Sequence, residues 1–441
     1  MGLFGIRDYR HLFGAQLVSL GGTGLATVAL GLLAYQLAGP SAGAVLGTAL
    51  AIKMVTYVVI APIAGAYADR FERRRMLVTL DVTRAAVVLA MPFADRVWHV
   101  YVLVALLQSA SAAFTPTFQA VLPDLLPDEV DYTRALSYSQ LASTMETLLS
   151  PLLAAVLVTV TSFHWLFVGT AIGFLASASL VVSSRIPDAT PSPRYRALDR
   201  ILSGTRIFVA TPRLRGLMGL NLAVAAVGAV VMVNTVNLVQ QRLGRPAADV
   251  AWLLTANGAG VLVVALAVPR LLRRVTDRTL MVSGAALLVA AIAGAIACSA
   301  VAGGLSWPVL LVLWTLIGAG TGAALTPSGQ VLRRSSDGAD RPALFAAQFS
   351  LSHACWLLSY PIAGWVATAY GFTPTWVVLG ILAAAGIVVA VRCWPSHEAA
   401  QLEHTHPAGV EHTHVAGAVT VGGGYRHSHP FVIDRLHPHW P

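Results

Sequence analysis

Twelve apolar stretches constrain the fold of this chain more than any other feature. A transmembrane helix needs about 20 consecutive apolar residues. Stretches of that kind lie near residues 11–37, 43–66, 76–94, 98–121, 135–160, 163–184, 214–240, 249–269, 279–301, 306–329, 343–368 and 373–394. Only 11% of the 441 residues are charged, whereas a soluble domain carries about 25%. We therefore predict an all-α membrane protein with 12 transmembrane helices.

Arginine is distributed unevenly between the loops that join these spans. Nearly all of it falls in five loops, at 67–75, 122–134, 185–213, 270–278 and 330–342. The loops on the other side hold only Arg96, Arg242 and Arg245. Because cytoplasmic loops are rich in basic residues, we expect a multi-pass membrane protein with both termini in the cytoplasm. The net charge of +9 then reports orientation in the bilayer, and no nucleic-acid partner is expected.

Two parts of the chain repeat each other. The segment Thr115-Pro116 with Gln119, in the fourth span, returns 211 residues later as Thr326-Pro327 with Gln330. Such a repeat in a membrane protein predicts two related six-helix halves. We place the N-terminal half at 1–184, the cytoplasmic linker at 185–213, the C-terminal half at 214–394 and a histidine-rich cytoplasmic tail at 395–441.

The loop between the second and third spans carries the most specific motif. It reads Gly65-x-x-x-Asp69-Arg70-x-x-Arg73-Arg74, within a segment that packs six charges into seven residues. This spacing resembles the loop signature between the second and third helices of transporters of the Major Facilitator Superfamily. The resemblance implies that Asp69 meets a helix end of the other half and acts as a conformational latch.

Further stretches are similar to one group of bacterial exporters within that superfamily. They are Asp8-Tyr-Arg10 with Gln16 at the first span, and Val121-Leu-Pro123-Asp124 after the fourth. The group includes siderophore, macrolide and nickel exporters. The resemblance covers roughly residues 8–394. It implies a secondary transporter of the bacterial cytoplasmic membrane whose two halves rock about a central site.

These features lead to one functional expectation and two alternatives. We expect a monomeric, proton-coupled antiporter that exports small hydrophobic or amphipathic compounds, as multidrug resistance exporters do. Efflux of nickel, cobalt or another divalent metal with help from the histidine-rich tail is the alternative, and a metal-responsive membrane sensor is a further one. The sequence contains no nucleotide-binding loop, nucleophile triad or catalytic zinc pattern, so we expect no enzymatic activity and no required cofactor.

Charged residues inside the spans are candidates for coupling transport to protons. Lys53 is the only lysine of the chain and lies in the second span, and Glu146 is the only carboxylate deep in a span. A charge at the bilayer centre costs at least about 2.5–3.5 kcal/mol, so each needs water or a partner. Either residue can be a structural partner or a functional charge, and whether the two meet stays open. Asp81 and Arg84, three residues apart, predict a local ion pair.

Uncharged polar residues in the spans are candidates for lining the transport path. They are Gln16, Gln108, Gln119, Asn234, Asn237, Gln330, Gln348 and His353. Asn234 and Asn237 lie one helical turn apart on the seventh span. Interhelical hydrogen bonding, worth only about 0.6 kcal/mol for each bond, is the alternative role. His353 is a candidate proton or metal group, and a simply hydrogen-bonded histidine is the alternative.

The tail concentrates histidine in a repeated pattern. Nine of the 13 histidines follow Pro395, and Glu403-His404-Thr-His406 recurs as Glu411-His412-Thr-His414. Imidazole suits nickel, zinc, cobalt and copper, which predicts a metal-binding tail with ligands His404, His406, His412, His414, His427, His429, His437 and His439. A disordered tail with a buffering role is the alternative. Apolar residues at 431–433 and Trp440 predict docking on the cytoplasmic face.

Overall fold

A computed structural model describes most of the chain, and every structural statement below concerns the residues it describes. These are 3–67, 72–126, 128, 131, 134–135, 138–139, 142, 153–154, 156–186, 197–301, 305–336, 341–396, 401–407, 419–421, 424–429, 431–433, 437 and 440. For some positions in helices and strands the description is confined to the backbone.

Long helices make up both halves. In the N-terminal half they are α1 (Arg7–Ala38), α2 (Ala42–Tyr67), α3 (Arg73–Ala90), α4 (Val97–Leu125) and α5 (His164–Val182). The linker contains α6 (Ala197–Ala210). The C-terminal half contains α7 (Pro212–Ala229), α8 (Ala247–Leu271), α9 (Asp277–Val301), α10 (Trp307–Leu325), α11 (Ser328–Arg334), α12 (Arg341–Pro361) and α13 (Phe372–Cys393).

Two of these helices continue beyond their regular part. Helix α7 extends to Arg242 through the π-helical turns Val230–Asn234 and Leu238–Arg242. Helix α12 extends through the π-helical turn Ile362–Val366. Wide turns of this kind are often found at functional sites.

The predicted fold class is confirmed. Over the described residues, nine helical segments are long and apolar enough to cross a membrane. One of them, Arg7–Ile60, contains two predicted spans, because a short 3-10 turn (Gly39–Ser41) joins α1 directly to α2. Most of the fifth predicted span, 135–160, lies outside the described residues.

The sequence repeat reappears in the way that the helices pack. In the first half α1 packs on α5, and α2 packs on α4. In the second half α7 packs on α13 and α8 packs on α10, which are the corresponding pairs. Helix α3 contacts α4 and α5 in the first half. Helix α9 makes the corresponding contacts with α10 and α13 in the second half. The two halves are therefore copies of one helical arrangement.

Glycine allows the paired helices to approach closely. A Cβ atom on Gly219 of α7 would lie 2.3 Å from the carbonyl oxygen of Gly386 in α13. At the corresponding place in the first half, a Cβ on Gly22 would lie 3.0 Å from the carbonyl oxygen of Thr170. Small residues of this kind drive helix association in membranes, where lipid removes the hydrophobic driving force between helices.

The two halves meet closely at one end of the bundle, where α1 ends and α2 begins, which we call the arginine-poor end. There Asn237 Nδ2 donates a hydrogen bond to the carbonyl oxygen of Pro40 at 3.0 Å. Trp365 Nε1 donates to Thr48 Oγ1 at 3.1 Å. A Cβ on Gly47 would lie 2.6 Å from the carbonyl oxygen of Tyr360, so α2 and α12 touch through their backbones.

The tail forms a small β-sheet, which the sequence analysis did not anticipate. Its strands are β1 (Leu402–Pro407), β2 (Val419–Val421) and β3 (Gly424–His429), in the antiparallel order β1-β3-β2. Beyond β3, Phe431 and Ile433 are buried in the main hydrophobic core, and Trp440 packs against it. The Trp440 ring lies 5.6 Å from the guanidinium carbon of Arg213, at the start of α7. These contacts confirm that the apolar tail residues dock on the helices; that this end faces the cytoplasm remains a prediction.

Candidate functional site

One cluster joins the two halves inside the membrane spans, between α2 and α12. The rings of Tyr57 and His353 stack with centroids 5.3 Å apart and an interplanar angle of 4°. Phe349 completes the aromatic group, with its ring centroid 4.0 Å from His353 and 5.8 Å from Tyr57. Lys53 Nζ lies 5.9 Å from the centroid of the Tyr57 ring. We call these four residues the interface cluster.

Helical spacing explains why each half supplies two members of the cluster. Lys53 and Tyr57 are four residues apart on α2, and Phe349 and His353 are four apart on α12, so each pair shares a helix face. The pair on α2 belongs to the N-terminal half and the pair on α12 to the C-terminal half. Any separation of α2 from α12 therefore takes the cluster apart.

The imidazole of His353 is oriented by its own helix. Its Nδ1 lies 2.6 Å from the carbonyl oxygen of Phe349. A carbonyl can only accept a hydrogen bond, so Nδ1 carries the proton of the neutral ring and Nε2 keeps the free lone pair. Lys53 of the other half lies near the Tyr57 ring that stacks on this imidazole. The structure thus brings together two residues that the sequence analysis named separately, Lys53 and His353.

The two aromatic members were not singled out from the sequence. Tyr57 lies one helical turn after the only lysine, and Phe349 lies one turn before the only histidine of the twelfth helix. This repeated four-residue spacing was the available signal. The facing of α2 on α12 was not available, because it joins segments almost 300 residues apart in the chain.

A second polar group lies within the N-terminal half. Asp81 and Arg84 of α3 form the predicted local ion pair, and both side chains are buried. Ser177 Oγ donates to the other Asp81 oxygen at 2.7 Å. The guanidinium carbon of Arg84 lies 4.1 Å from the ring centroid of Phe114 and 4.4 Å from that of Phe174.

The asparagines predicted for the transport path are bound to backbone. Asn234 Nδ2 donates to the carbonyl oxygen of Ala363 at 2.9 Å, next to α12. Asn237 Nδ2 donates to Pro40 between the halves, as described above. Both bonds are of the interhelical kind that the sequence analysis gave as the alternative. A role for these two residues in substrate binding remains a prediction.

The other path candidates are dispersed. Gln16 accepts a hydrogen bond from Ser139 Oγ at 2.8 Å. Gln108 is buried in α4, Gln348 is half-buried one residue before Phe349, and Gln330 is exposed in α11. The side chain of Gln119 and the whole of Glu146 lie outside the described residues. Pairing of Glu146 with Lys53 therefore stays a prediction.

The predicted gate motif is described only in part. Asp69 and Arg70 lie outside the described residues, and Gly65 is described only by its backbone in α2. Arg73 is buried at the start of α3. Arg74 donates to the carbonyl oxygen of Val182 at the end of α5. The latch role of Asp69 remains a prediction.

The second half contains a counterpart of the Arg74 contact. Arg278, at the start of α9, donates from Nε to the carbonyl oxygen of Trp394 at 2.8 Å and from Nη2 to that of Val391 at 3.2 Å. Both arginines thus bind the carbonyl end of the last helix of their half. A cation at that end is stabilised by the helix dipole.

The predicted metal ligands fall into three groups. His404, His406, His427 and His429 lie in β1 and β3, and of these only His427 has a described side chain. His437 is buried and packs on Phe431, with ring centroids 4.8 Å apart. His412, His414 and His439 lie outside the described residues. Among the side chains that the structure describes, no three potential metal ligands come together.

Comparison with known proteins gives a family match along most of the chain. A family model described as Major Facilitator Superfamily matches residues 12–295 and 217–421. A Bacillus subtilis (strain 168) protein named Uncharacterized MFS-type transporter YfiS is 29% identical over 290 residues, which cover 63% of this chain and 67% of that protein. Macrolide efflux protein A of Enterococcus faecalis is 27% identical over 164 residues, or 35% of this chain and 50% of that protein. The chain thus aligns with only half the length of that efflux protein.

Solved structures agree with the fold. A bacterial homologue of the human lysosomal transporter Spinster, in an inward-facing and unoccupied conformation, superposes with a TM-score of 0.68 over 89% of this chain and 99% of its own, at 14% identity. A D-xylose–proton symporter superposes with a TM-score of 0.66 over 88% of this chain and 97% of its own, at 16% identity. At such low identity the likeness concerns the fold alone.

Proposed function

The chain belongs to the Major Facilitator Superfamily, and from this premise we propose that it exports small hydrophobic or amphipathic compounds across the bacterial cytoplasmic membrane in exchange for protons. As a member of that family it is a multi-pass membrane transporter. Its partial similarity to macrolide efflux proteins supports the direction and the kind of cargo.

The observation that carries this proposal is the interface cluster. Its three rings offer apolar faces, to which a hydrophobic cargo binds by stacking and burial. Lys53 and His353 add groups whose charge can respond to protons and to the cargo. Ionisable residues inside membrane spans commonly mark substrate and proton pathways.

His353 is the proton-carrying group in this scheme. Imidazole gains and loses a proton more readily in the physiological pH range than any other side chain, and Nε2 is the atom with the free lone pair. A proton on Nε2 places a second positive charge close to Lys53, on the opposite half. The two like charges repel each other across the interface, which favours separation of α2 from α12.

This repulsion links the proton to the rocking of the halves. In the described state the halves are joined at the arginine-poor end, with α2 against α12. Under the proposed topology that end faces the outside. In the outward-open form, where α2 and α12 are apart, His353 takes a proton from outside as the cargo leaves the rings. When the α2–α12 contact forms again, repulsion from Lys53 drives this proton off to the cytoplasm.

Transport into proteoliposomes tests the coupling. We expect uptake of a fluorescent amphipathic dye to accelerate when a pH gradient is imposed. In His353→Asn this increase in uptake rate should be smaller by a factor of about ten or more, because the amide cannot titrate. The matched control is His164→Asn, since His164 lies at the start of α5, away from the interface cluster, and its side chain hydrogen-bonds to the neighbouring Ser162. Uptake that ignores the imposed gradient in the unaltered protein would refute proton coupling.

Nickel or cobalt efflux is the second candidate, favoured by the four histidines in paired strands of the tail. A resistance panel of metals, dyes and antibiotics in a host lacking other exporters separates the two. Raised tolerance to dyes or macrolide antibiotics alone supports the first proposal. Raised tolerance to nickel and cobalt alone, lost on removal of residues 396–441, supports the second.

A further inference from the structure

The register of the tail sheet places four histidines on one face. In the antiparallel pair of β1 and β3, His404 is opposite His427, Leu402 is opposite His429, and His406 is opposite Tyr425. Alternate residues of a strand lie on the same face, and so do directly paired residues. His404, His406, His427 and His429 therefore share one face, which we call the histidine face.

The spacing on this face suits a shared metal ion. Directly opposite residues have Cβ atoms about 4.5–5.5 Å apart, and diagonal neighbours about 7–8 Å. His404 and His427 are directly opposite, while His406 is diagonal to His427 and His429 is diagonal to His404. Imidazole binds a zinc ion at about 2.0–2.1 Å. Histidines at these register positions are therefore spaced closely enough to share one ion.

The other face of the sheet has a different composition. Glu403 and Arg426 lie on it and form an ion pair, with Nε and Oε1 3.7 Å apart. Ser428, on the same face, donates to Gln401 at 3.5 Å. The carboxylate next to the first histidine pair is thus held on the side away from the histidine face, which leaves imidazole as the repeated ligand there.

We propose that the histidine face binds one divalent transition-metal ion, with His404 and His427 as the central ligands. His406 and His429 supply the remaining protein ligands. An all-imidazole set favours zinc, copper, nickel or cobalt over magnesium and calcium, which prefer oxygen. The proposal does not depend on what the transporter exports.

The docked end of the tail determines where the proposed metal site lies relative to the helices. Phe431 and Ile433 are buried in the core directly after β3, and the Trp440 ring lies next to Arg213 at the start of α7. Arg213 in turn donates to the carbonyl oxygen of Arg334 at the end of α11 and to Ser335, both at 2.7 Å. The sheet is therefore attached to the C-terminal half, at the end where α7 and α9 begin. His437 packs on Phe431 and contributes to the docking.

Metal titration of the full-length protein in detergent tests the register. The variant His404→Ala/His427→Ala removes the central pair, and we expect it to weaken zinc affinity, measured by calorimetry, at least about tenfold. The control variant His412→Ala/His414→Ala removes the same number of histidines from the second Glu-His-Thr-His unit, and we expect a change of less than about threefold. Cobalt bound to the unaltered protein should give the intense visible absorption of a tetrahedral site.

A second control separates loss of ligands from loss of the sheet. Thr405→Ala/Ser428→Ala alters the same two strands on the opposite face, and we expect it to retain zinc affinity. Equal losses from the two histidine double variants would overturn the proposal, since composition rather than register would then explain binding. Absence of zinc binding at micromolar concentration would also overturn it. Both results leave the dye transport measurement unaffected, so the two proposals fail separately.

Discussion

The two halves of the transporter share a helix arrangement but bury different side chains at matching places. Arg74 and Arg278 make the same kind of contact with the last helix of their half. Counting seven residues onward from each gives Asp81 in the first half and Ala285 in the second. Both side chains are fully buried, one charged and one apolar.

At two more matching places a polar or charged residue of the first half corresponds to an apolar residue of the second. Ten residues after those arginines lie Arg84 in the first half and Leu288 in the second, and both are buried. Ser177 lies four residues after Gly173 of α5, and Ala390 lies four after Gly386 of α13. All three members of the buried polar group in the first half are thus replaced by apolar residues in the second.

This comparison separates the glycine contacts, which hold the helices together in both halves, from the buried polar group, which is found in the first half and not at the matching places of the second. Both halves pack through glycine contacts, so the helix arrangement does not need the polar group. A buried ion pair is often no more stabilising than apolar residues of similar volume. Its absence from the matching places of the second half leads us to infer a role in transport rather than in folding.

The largest effect is expected when one partner of the Asp81–Arg84 ion pair is removed. Asp81→Leu leaves the buried Arg84 guanidinium without its carboxylate, and we expect the free energy of unfolding in detergent to fall by about 3–5 kcal/mol. The double variant Asp81→Ala/Arg84→Leu introduces the residues of the second half. We expect it to recover most of that loss while transport falls. If the double variant is as unstable as the single one, the two halves are not interchangeable at these positions.

A smaller effect is expected where the halves differ in how closely their helices approach. Gly219→Ala places a methyl group 2.3 Å from a backbone oxygen, whereas Gly22→Ala places it at 3.0 Å. Because overpacking costs about 1–3 kcal/mol, we expect Gly219→Ala to lower the free energy of unfolding more than Gly22→Ala. Gly14→Ala, which meets only a leucine methyl at 3.4 Å, is the control and should be neutral. The reverse order would show that backbone approach does not govern packing here.

The smallest effect concerns the two arginines that bind helix ends. Charges near a helix terminus contribute about 0.3–1 kcal/mol each. Arg278 donates to two carbonyls and Arg74 to one, so we expect Arg278→Gln to lower the melting temperature in detergent more than Arg74→Gln. The fall in melting temperature caused by each variant should become smaller as salt is added, because both arginine side chains are partly exposed to water and their charges are screened. Equal, salt-independent shifts would contradict the helix-end explanation.

The polar residues of the spans show which features of the site could be predicted from the sequence and which could not. Lys53 and His353 stand out because ionisable groups are rare in apolar spans, and that is a local property. The Asp81–Arg84 pair was predictable because both residues lie on one helix face. The bonds of Asn234 and Asn237 to distant carbonyls were not, since an asparagine in a span looks the same whether it faces a cargo or another helix.

What the sequence by itself determined is the architecture: membrane-length helices, two related halves and an arginine-rich side. Each follows from hydropathy, length and composition, which are properties of neighbouring residues. Only the tertiary structure decided which helix faces meet. It placed Tyr57 against His353 across the halves, and it paired His404 with His427 in a sheet whose strands carry no strong apolar alternation. These contacts depend on helix rotation and strand register, which are set by packing between segments far apart in the chain.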